Sequence, residues 1–148
     1  MEKVQRFSKK RQAIYDALRS TREHPSAEWV YQTLKPEYPD LSLGTVYRNI
    51  KGMVEVGDVI CVGNVEGKDR FDAYVHPHAH LLCGSCGAVV DLDITEDMAA
   101  QCRAMAEAND IDLDLRSLQF AGLCSTCKNK YTEKHFKILY FLQNIPLL

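Results

Sequence analysis

No uninterrupted apolar run in this sequence reaches the roughly 18 residues that a membrane-spanning helix needs. The first charged residues are likewise not followed by the apolar stretch of a secretion signal. Neither bilayer insertion nor export is therefore expected, and the chain reads as cytoplasmic with no membrane partner. Internal repeats and low-complexity segments are also missing, which leaves ordinary globular folding. Net charge is slight, at -2 over 148 residues, so the total names no partner. The distribution is more telling. Residues 1–22 hold seven basic side chains (Lys3, Arg6, Lys9, Lys10, Arg11, Arg19, Arg22) against Glu2 and Asp16, a local +5 that can neutralise phosphates.

The length suits one ordinary domain or two small ones, and a hydrophobic fraction of 46% is that of a globular protein. Two small domains would each have a thin core, so a metal staple or a dimer interface is expected to support them. A first helix runs from a cap at Ser8 to about Arg19, with Ala13, Ile14, Ala17 and Leu18 on one face. Pro25 and Ser26 open a second, in which Ala27, Val30, Tyr31 and Leu34 recur at helical spacing. Ser42 caps a third, whose stripe Leu43, Val46, Ile50, Met53 and Val54 stops at Gly57. Two strands follow, residues 59–62 and a segment around Arg70 and Phe71, joined by a turn through Gly63, Asn64 and Gly67. Three short helices and a hairpin make a winged helix-turn-helix domain, assigned to residues 1–73. From Ala79 the pattern becomes strand (79–83), turn, strand (88–92), helix (about 95–108, capped by Thr95) and strand (113–121). That is a separate α/β module over residues 74–132, hinged at 73–78, so the fold class is α+β. Residues 133–148 form an apolar tail, too short to span a bilayer and expected to pack on a partner subunit or neighbouring surface.

Opposite the apolar stripe of the third helix, Thr45, Arg48 and Lys51 lie three residues apart on one outward face, with Tyr47 beside them. Arginine reads guanine through two bonds, lysine and tyrosine reach phosphates, and the threonine methyl can touch thymine. Standing alone, such a face would more often be solvated helix surface. Preceded by two helices, followed by a wing and joined by the basic arm with Arg11, it is expected to read double-stranded DNA. One such helix reads only a short half-site, so a homodimer on a pseudo-palindromic operator is expected.

Six cysteines in a chain of reducing compartments suggest metal binding before disulfides. Cys83-Gly84-Ser85-Cys86 and Cys124-Ser125-Thr126-Cys127 supply four thiolates, the closed tetrahedral shell of structural Zn(II). A redox disulfide switch or an iron–sulfur site are the alternatives. Cys61, in a wing strand, and Cys102, on a helical face with Met98 and Met105, are expected to be core side chains.

His76, His78 and His80 alternate along an extended segment and are expected to point one way, so neighbours on that face can grip one ion. Asp91 lies on the next strand, Asp72 at the hinge and His24 at the start of the second helix. An ion held by His78, His80 and Asp91 from one module and by His24 and Asp72 from the other would lock their relative orientation. Imidazole plus hard carboxylate suits Fe(II) or Mn(II) better than an all-sulfur shell would. Taken singly, His24 reads as a surface or capping histidine and the two aspartates as turn or strand-end acids; spacing does not assign the partners.

The motifs Arg11-Gln12-Ala13-Ile14, His24-Pro25-Ser26-Ala27, Thr45-Val46-Tyr47-Arg48-Asn49, Arg70-Phe71-Asp72, His78-Ala79-His80-Leu81-Leu82-Cys83-Gly84-Ser85-Cys86-Gly87 and the closing cysteine pair together resemble the ferric uptake regulator family, over nearly all of residues 6–130. The resemblance implies a winged-helix DNA-binding domain, a C-terminal dimerisation domain, zinc on the four cysteines, and a regulatory ion on His24, Asp72, His78, His80 and Asp91. Aspartate at 72 and 91 looks more like the peroxide-regulator branch, where iron regulators tend to place glutamate. In that branch Fe(II) reacts with hydrogen peroxide and oxidises a ligand histidine, at positions matching His24 and His78, whereas Mn(II) supports DNA binding without that chemistry. Two features depart from the family pattern. Arg116 stands where some iron regulators offer a histidine to a further metal site, and the apolar tail after Lys130 does not match the short polar ends expected.

A metal-dependent repressor, not an enzyme, is thus the leading expectation, with an iron- or manganese-sensing uptake repressor as the variant within the family. From other classes come a non-heme metalloenzyme turning over peroxide at the His/Asp ion, and a zinc-stapled interaction module with no regulatory ion.

Overall fold

The computed structural model describes residues 9–130, so Ser8, the basic residues before Lys9, and the apolar tail with His135 lie outside the described residues. Helices α1 (Lys9–Arg19), α2 (Ala27–Leu34) and α3 (Leu43–Val56) follow in succession. Their ends are set by local chemistry. Ser26 Oγ accepts from the Trp29 N–H and Ser42 Oγ from the Thr45 N–H, each satisfying a donor the first turn leaves open. Gly57 closes α3 at φ 81°, a left-handed conformation where a Cβ would be strained. Ile14, Leu18, Val30, Val46 and Ile50 are at most 1% exposed and interlock between the three helices. Each contributes about 1.5–3 kcal/mol by leaving water.

Arg11 was expected to meet DNA, and its position corrects that. It is 6% exposed, its guanidinium lying 3.7 Å from Asp58 and near Gly52, so it packs beneath α3 instead of facing a duplex. A buried cation needs such a partner.

Strands β1 (Ile60–Val65) and β2 (Lys68–Asp72) form the wing, an antiparallel hairpin that closes the helical core with Val59 and Phe71. The tight turn is Glu66-Gly67 alone, both residues at positive φ (53° and 78°), as in the mirror-image turns that suit strand twist. Gly63 and Asn64, expected in the turn, lie inside β1, where the register slips between Cys61 and Gly63. Gly63 serves a close approach: a Cβ there would sit 2.7 Å from Leu82 Cδ2, across the junction with the second module.

That second module comprises β3 (Ala79–Cys83), β4 (Val89–Leu92), α4 (Glu96–Ala108), a 3₁₀ turn Leu115–Ser117, β5 (Leu118–Gly122) and α5 (Ser125–Lys128). The sheet order is β4-β3-β5, with β3 antiparallel to β4 and parallel to β5. The last strand is shorter than the 113–121 expected, because the Asp114 carboxylate accepts from Arg116 N and caps the 3₁₀ turn. The fold is therefore α+β, a winged helix-turn-helix followed by an α/β module. The two halves differ in how they are filled. In the second, the buried apolar cluster is Cys83, Cys124 and Cys127 with Ala88 and Leu123 against it. Leu81, Val90 and Phe120 share one register across the sheet, with Val90 and Phe120 exposed, and Met105 is exposed on α4. Cys61 is exposed and Cys102 half-buried, so the expectation that both are core side chains fails for Cys61, which lies on the open side of the wing strand.

Candidate metal centres and nucleic-acid face

The sulfur cluster is built by backbone geometry. After β3 the chain turns tightly, with the Gly87 N–H donating to the Cys83 carbonyl, and the Gly84 N–H reaches across to the Gly122 carbonyl at the end of β5. This brings the Cys124–Cys127 knuckle, at the start of α5, onto the Cys83–Cys86 knuckle. One sulfur from each of the four cysteines lies within 4.8 Å of the others. Cys86 Sγ and Cys124 Sγ are 3.7 Å apart. A disulfide would be about 2.05 Å, whereas the edge of a tetrahedron with metal–sulfur bonds of about 2.3 Å is about 3.8 Å. The spacing fits four thiolates around one ion. Burial opposes ionisation of Cys83, but the N–H groups of Cys124, Cys86 and Ser85 outweigh it and bring its pKa down to about 6. At Cys86 the Ala88 N–H favours the thiolate, yet the three neighbouring sulfurs outweigh it and push the pKa up to about 11. Four such sulfurs cannot all ionise cheaply without a cation among them.

The second cluster spans the two modules. The Phe71 N–H donates to the Pro25 carbonyl at 3.2 Å, which draws the start of α2 onto the end of β2 and sets His24 beside Asp72. His24 itself has φ 52° and is 2% exposed, a strained conformation for a bulky side chain and one that clusters at functional positions. From the other side, the antiparallel register of β3 and β4 places His80 directly opposite Asp91 on the face turned towards the winged helix. His78 precedes β3 and donates from Nδ1 to the His76 carbonyl at 2.8 Å, leaving Nε2 with its lone pair free to face the cluster.

Three imidazoles and two carboxylates thus converge, one ligand atom of each within 4.8 Å of the others. His24 Nε2 lies 2.8 Å from Asp91 Oδ1, His78 Nε2 3.0 Å from Asp72 Oδ2, and His80 Nε2 3.4 Å from Asp72 Oδ2. His78 Nε2 and Asp91 Oδ1 are nonetheless buried without a hydrogen bond among the described residues, so their lone pairs aim at a common point more than at each other. Buried polar atoms arranged this way fit a cation held between them. Burial pulls the His24 imidazole below its ordinary value, against the pull of Asp91 and Asp72, and so favours the neutral, donor form. Burial alone would raise the Asp72 carboxyl, but hydrogen bonds from His80 and from the Tyr74 N–H, with His24 and His78 nearby, bring it below its ordinary value. His76, expected on the same face, is exposed; its ring stacks on His78 with centroids 4.7 Å apart and meets the Tyr74 ring edge-on, outside the group of converging ligand atoms.

On α3, Arg48 and Lys51 are exposed and Thr45 half-buried. Ser42 and Thr45 hydroxyls lie 2.9 Å apart, and Arg48 Nη2 donates to Thr45 Oγ1 at 3.3 Å. The Tyr47 hydroxyl donates to Glu28 Oε1 at 2.7 Å, which holds its ring against α2. Tyr47, Arg48 and Lys51 line a groove of about 360 Å³ whose other wall is the wing.

Compared with known proteins, residues 2–121 match the model of the ferric uptake regulator family. The chain belongs to that family. Its relatives include the peroxide-responsive repressor PerR of Staphylococcus aureus, 31% identical over 125 residues and covering 84% of both chains. Similar solved structures include the Campylobacter jejuni peroxide stress regulator, at TM-score 0.68 and 27% identity over 79% of this chain and 87% of that one. The Vibrio cholerae ferric uptake regulator matches at TM-score 0.62 and 28% identity, over 79% and 90%. As a ferric uptake regulator family member, the chain is a metal-responsive regulator. The sequence reading overlooked two residues at its mixed cluster. Arg22 Nη1 lies 3.1 Å from Asp91 Oδ2, and the Arg22 guanidinium sits 3.9 Å from the Tyr74 ring centroid. Their only signal was position, two residues before His24 and two after Asp72.

Proposed function

We propose that this family member is a cytoplasmic, homodimeric repressor that binds a pseudo-palindromic DNA operator when a regulatory ion is bound and releases it on oxidation by peroxide. One observation carries the reading: the five ligand atoms of the His/Asp cluster come from both sides of the junction, His24 and Asp72 from the DNA-binding domain (1–73) and His78, His80 and Asp91 from the second domain (74–132). A single cation held there ties the orientation of each reading helix to metal occupancy. In such a pair of coupled equilibria, metal and DNA each strengthen the binding of the other by the same factor, typically about 5–150-fold.

Zn(II) on Cys83, Cys86, Cys124 and Cys127 is the structural ion. Fe(II) or Mn(II) suits the imidazole and carboxylate donors. His24, His78 and His80 supply imidazole nitrogens, Asp72 and Asp91 supply charge, and all but the partly exposed Asp91 are buried. Fe(II), if bound there, would relay electrons from an imidazole to the O–O bond of hydrogen peroxide. In the net change, peroxide is the oxidant: one of its oxygens enters a C–H bond of the His24 or His78 ring, the other leaves as water, and the iron is not consumed. An oxidised imidazole is a poorer donor, and the junction loosens. Aspartate at 72 and 91 and the likeness to PerR of S. aureus support the peroxide branch.

Thr45, Tyr47, Arg48 and Lys51 are the proposed DNA contacts. The apolar register Leu81, Val90 and Phe120 supports a second copy as the cover of the sheet. The likeness to the V. cholerae ferric uptake regulator favours a second reading, in which iron or manganese level is itself the signal. Mass spectrometry of peptides carrying His24 and His78, after peroxide is added to Fe(II)- and Mn(II)-loaded protein, separates the two. One added oxygen with iron alone is the expected result, accompanied by loss of operator binding. Unmodified histidines and retained DNA binding would leave metal level as the signal, and sustained consumption of peroxide over many turnovers would point to an enzyme.

A further inference from the structure

We propose that Arg22, held by Tyr74, is a positioning residue that keeps Asp91 to a single ligand oxygen and so preserves one open coordination position in the His/Asp centre. The proposal rests on the reading of that cluster as the regulatory centre.

The two carboxylates are restrained in parallel. Asp72 turns Oδ2 towards His78 and His80, while its Oδ1 accepts from the Tyr74 N–H at 2.7 Å. Asp91 turns Oδ1 towards His24, while its Oδ2 faces Arg22 Nη1 at 3.1 Å. Each acid therefore presents one oxygen inward. Three nitrogens and two oxygens make five donors, one short of the octahedral shell that Fe(II) and Mn(II) adopt. A carboxylate can equally bind a cation through both oxygens. If Asp91 did so, the sixth position would be filled and closed to peroxide.

Tyr74 connects the two restraints. Its backbone N–H fixes Asp72, and its ring carries the Arg22 guanidinium 3.9 Å from the centroid. The Arg22 side chain is 56% exposed, and an exposed ion pair alone holds geometry weakly. Stacking on the ring orients the planar guanidinium, which lysine could not reproduce. Arg22 comes from the turn after α1 and Asp91 from β4, so the restraint also crosses the junction between modules.

The test uses the full chain with zinc on its four cysteines, titrated anaerobically with Co(II), whose visible bands report coordination number, and with Mn(II) for affinity. Wild type is expected to take one Co(II) per chain with five-coordinate bands. Arg22→Ala should weaken those bands several-fold as Asp91 closes with both oxygens. It should also tighten Mn(II) by about tenfold, since a charge-assisted bond no longer draws on that carboxylate. Tyr74→Ala should follow Arg22→Ala, whereas Tyr74→Phe, which keeps ring and backbone, should match wild type. Zinc content and circular dichroism monitor the fold. If Arg22→Ala weakens Mn(II) with the Co(II) bands unchanged, Arg22 merely braces the junction and the proposal is overturned. Unchanged bands and affinity overturn it as well, leaving the centre itself intact. A wild-type chain that takes no Co(II) beyond its zinc overturns the centre and the proposal together.

Discussion

The two ligand clusters are built from opposite materials. The cysteine cluster is drawn wholly from the second module, where both knuckles close on one point at the ends of β3 and β5. The histidine–aspartate cluster is drawn from both modules and has mixed donors, with Asp91 partly open to solvent. A closed all-sulfur shell inside one module can only hold that module together. A mixed shell shared between modules couples them. The difference teaches that location relative to the junction, more than affinity, separates a staple from a sensor.

The largest expected effect breaks the staple. Cys124→Ser should remove the zinc and unfold the second module, because its own buried cluster is small and zinc binding supplies roughly 10–16 kcal/mol at neutral pH. Metal analysis and thermal denaturation would report it, and DNA binding should vanish with the fold. Asp72→Asn sharpens the contrast. It should leave zinc and fold in place yet abolish the strengthening of DNA binding by Mn(II), expected in wild type at about 5–150-fold and readable by fluorescence anisotropy. Arg48→Ala should spare both clusters and cost about 1–3 kcal/mol in operator binding, with relaxed preference at one base pair.

The smallest effect is on pH dependence. His24 has a folded pKa below its ordinary 6.5, so the unfolded chain takes up its proton first as pH falls. Stability from the buried neutral imidazole is full above that value and declines as pH drops through it. Asp72, also lowered from its ordinary 3.8, contributes above that value and is lost only in stronger acid. Melting temperatures of the Mn(II)-free protein should therefore fall between pH 7.5 and 5.5, and less so in His24→Leu; equal slopes would contradict the burial argument. The cysteine staple is the same in wild type and His24→Leu and should not distinguish them.

Much of the fold was legible because its signals are local. Ser26, Ser42 and Gly57 mark helix ends through side-chain capping and left-handed φ, and the structure places the ends there. The wing turn was misplaced because Gly63 and Asn64 are turn formers by type, while here a non-local contact with Leu82 governs Gly63. Leu113 and Leu115 alternate with Asp112 and Asp114 as a strand would, but Asp114 spends its carboxylate on Arg116 and makes a cap. Arg11 read as a phosphate contact because charge in a helix is normally solvated; its partner Asp58 is distant in sequence. The cysteine pairs announced their chemistry through spacing. His24 and Asp91 could not, since only the Phe71–Pro25 hydrogen bond and the β3–β4 register bring them together.

The central claim is that one ion is held jointly by both modules. Crystals of the zinc-loaded protein soaked or grown with Mn(II), and measured at the manganese absorption edge, locate that ion directly. A single anomalous peak per chain, within bonding distance of His24 and Asp72 on one side and His78, His80 and Asp91 on the other, is the expected result. A peak ligated from one module alone, with His24 and Asp72 turned away from it, would contradict the account.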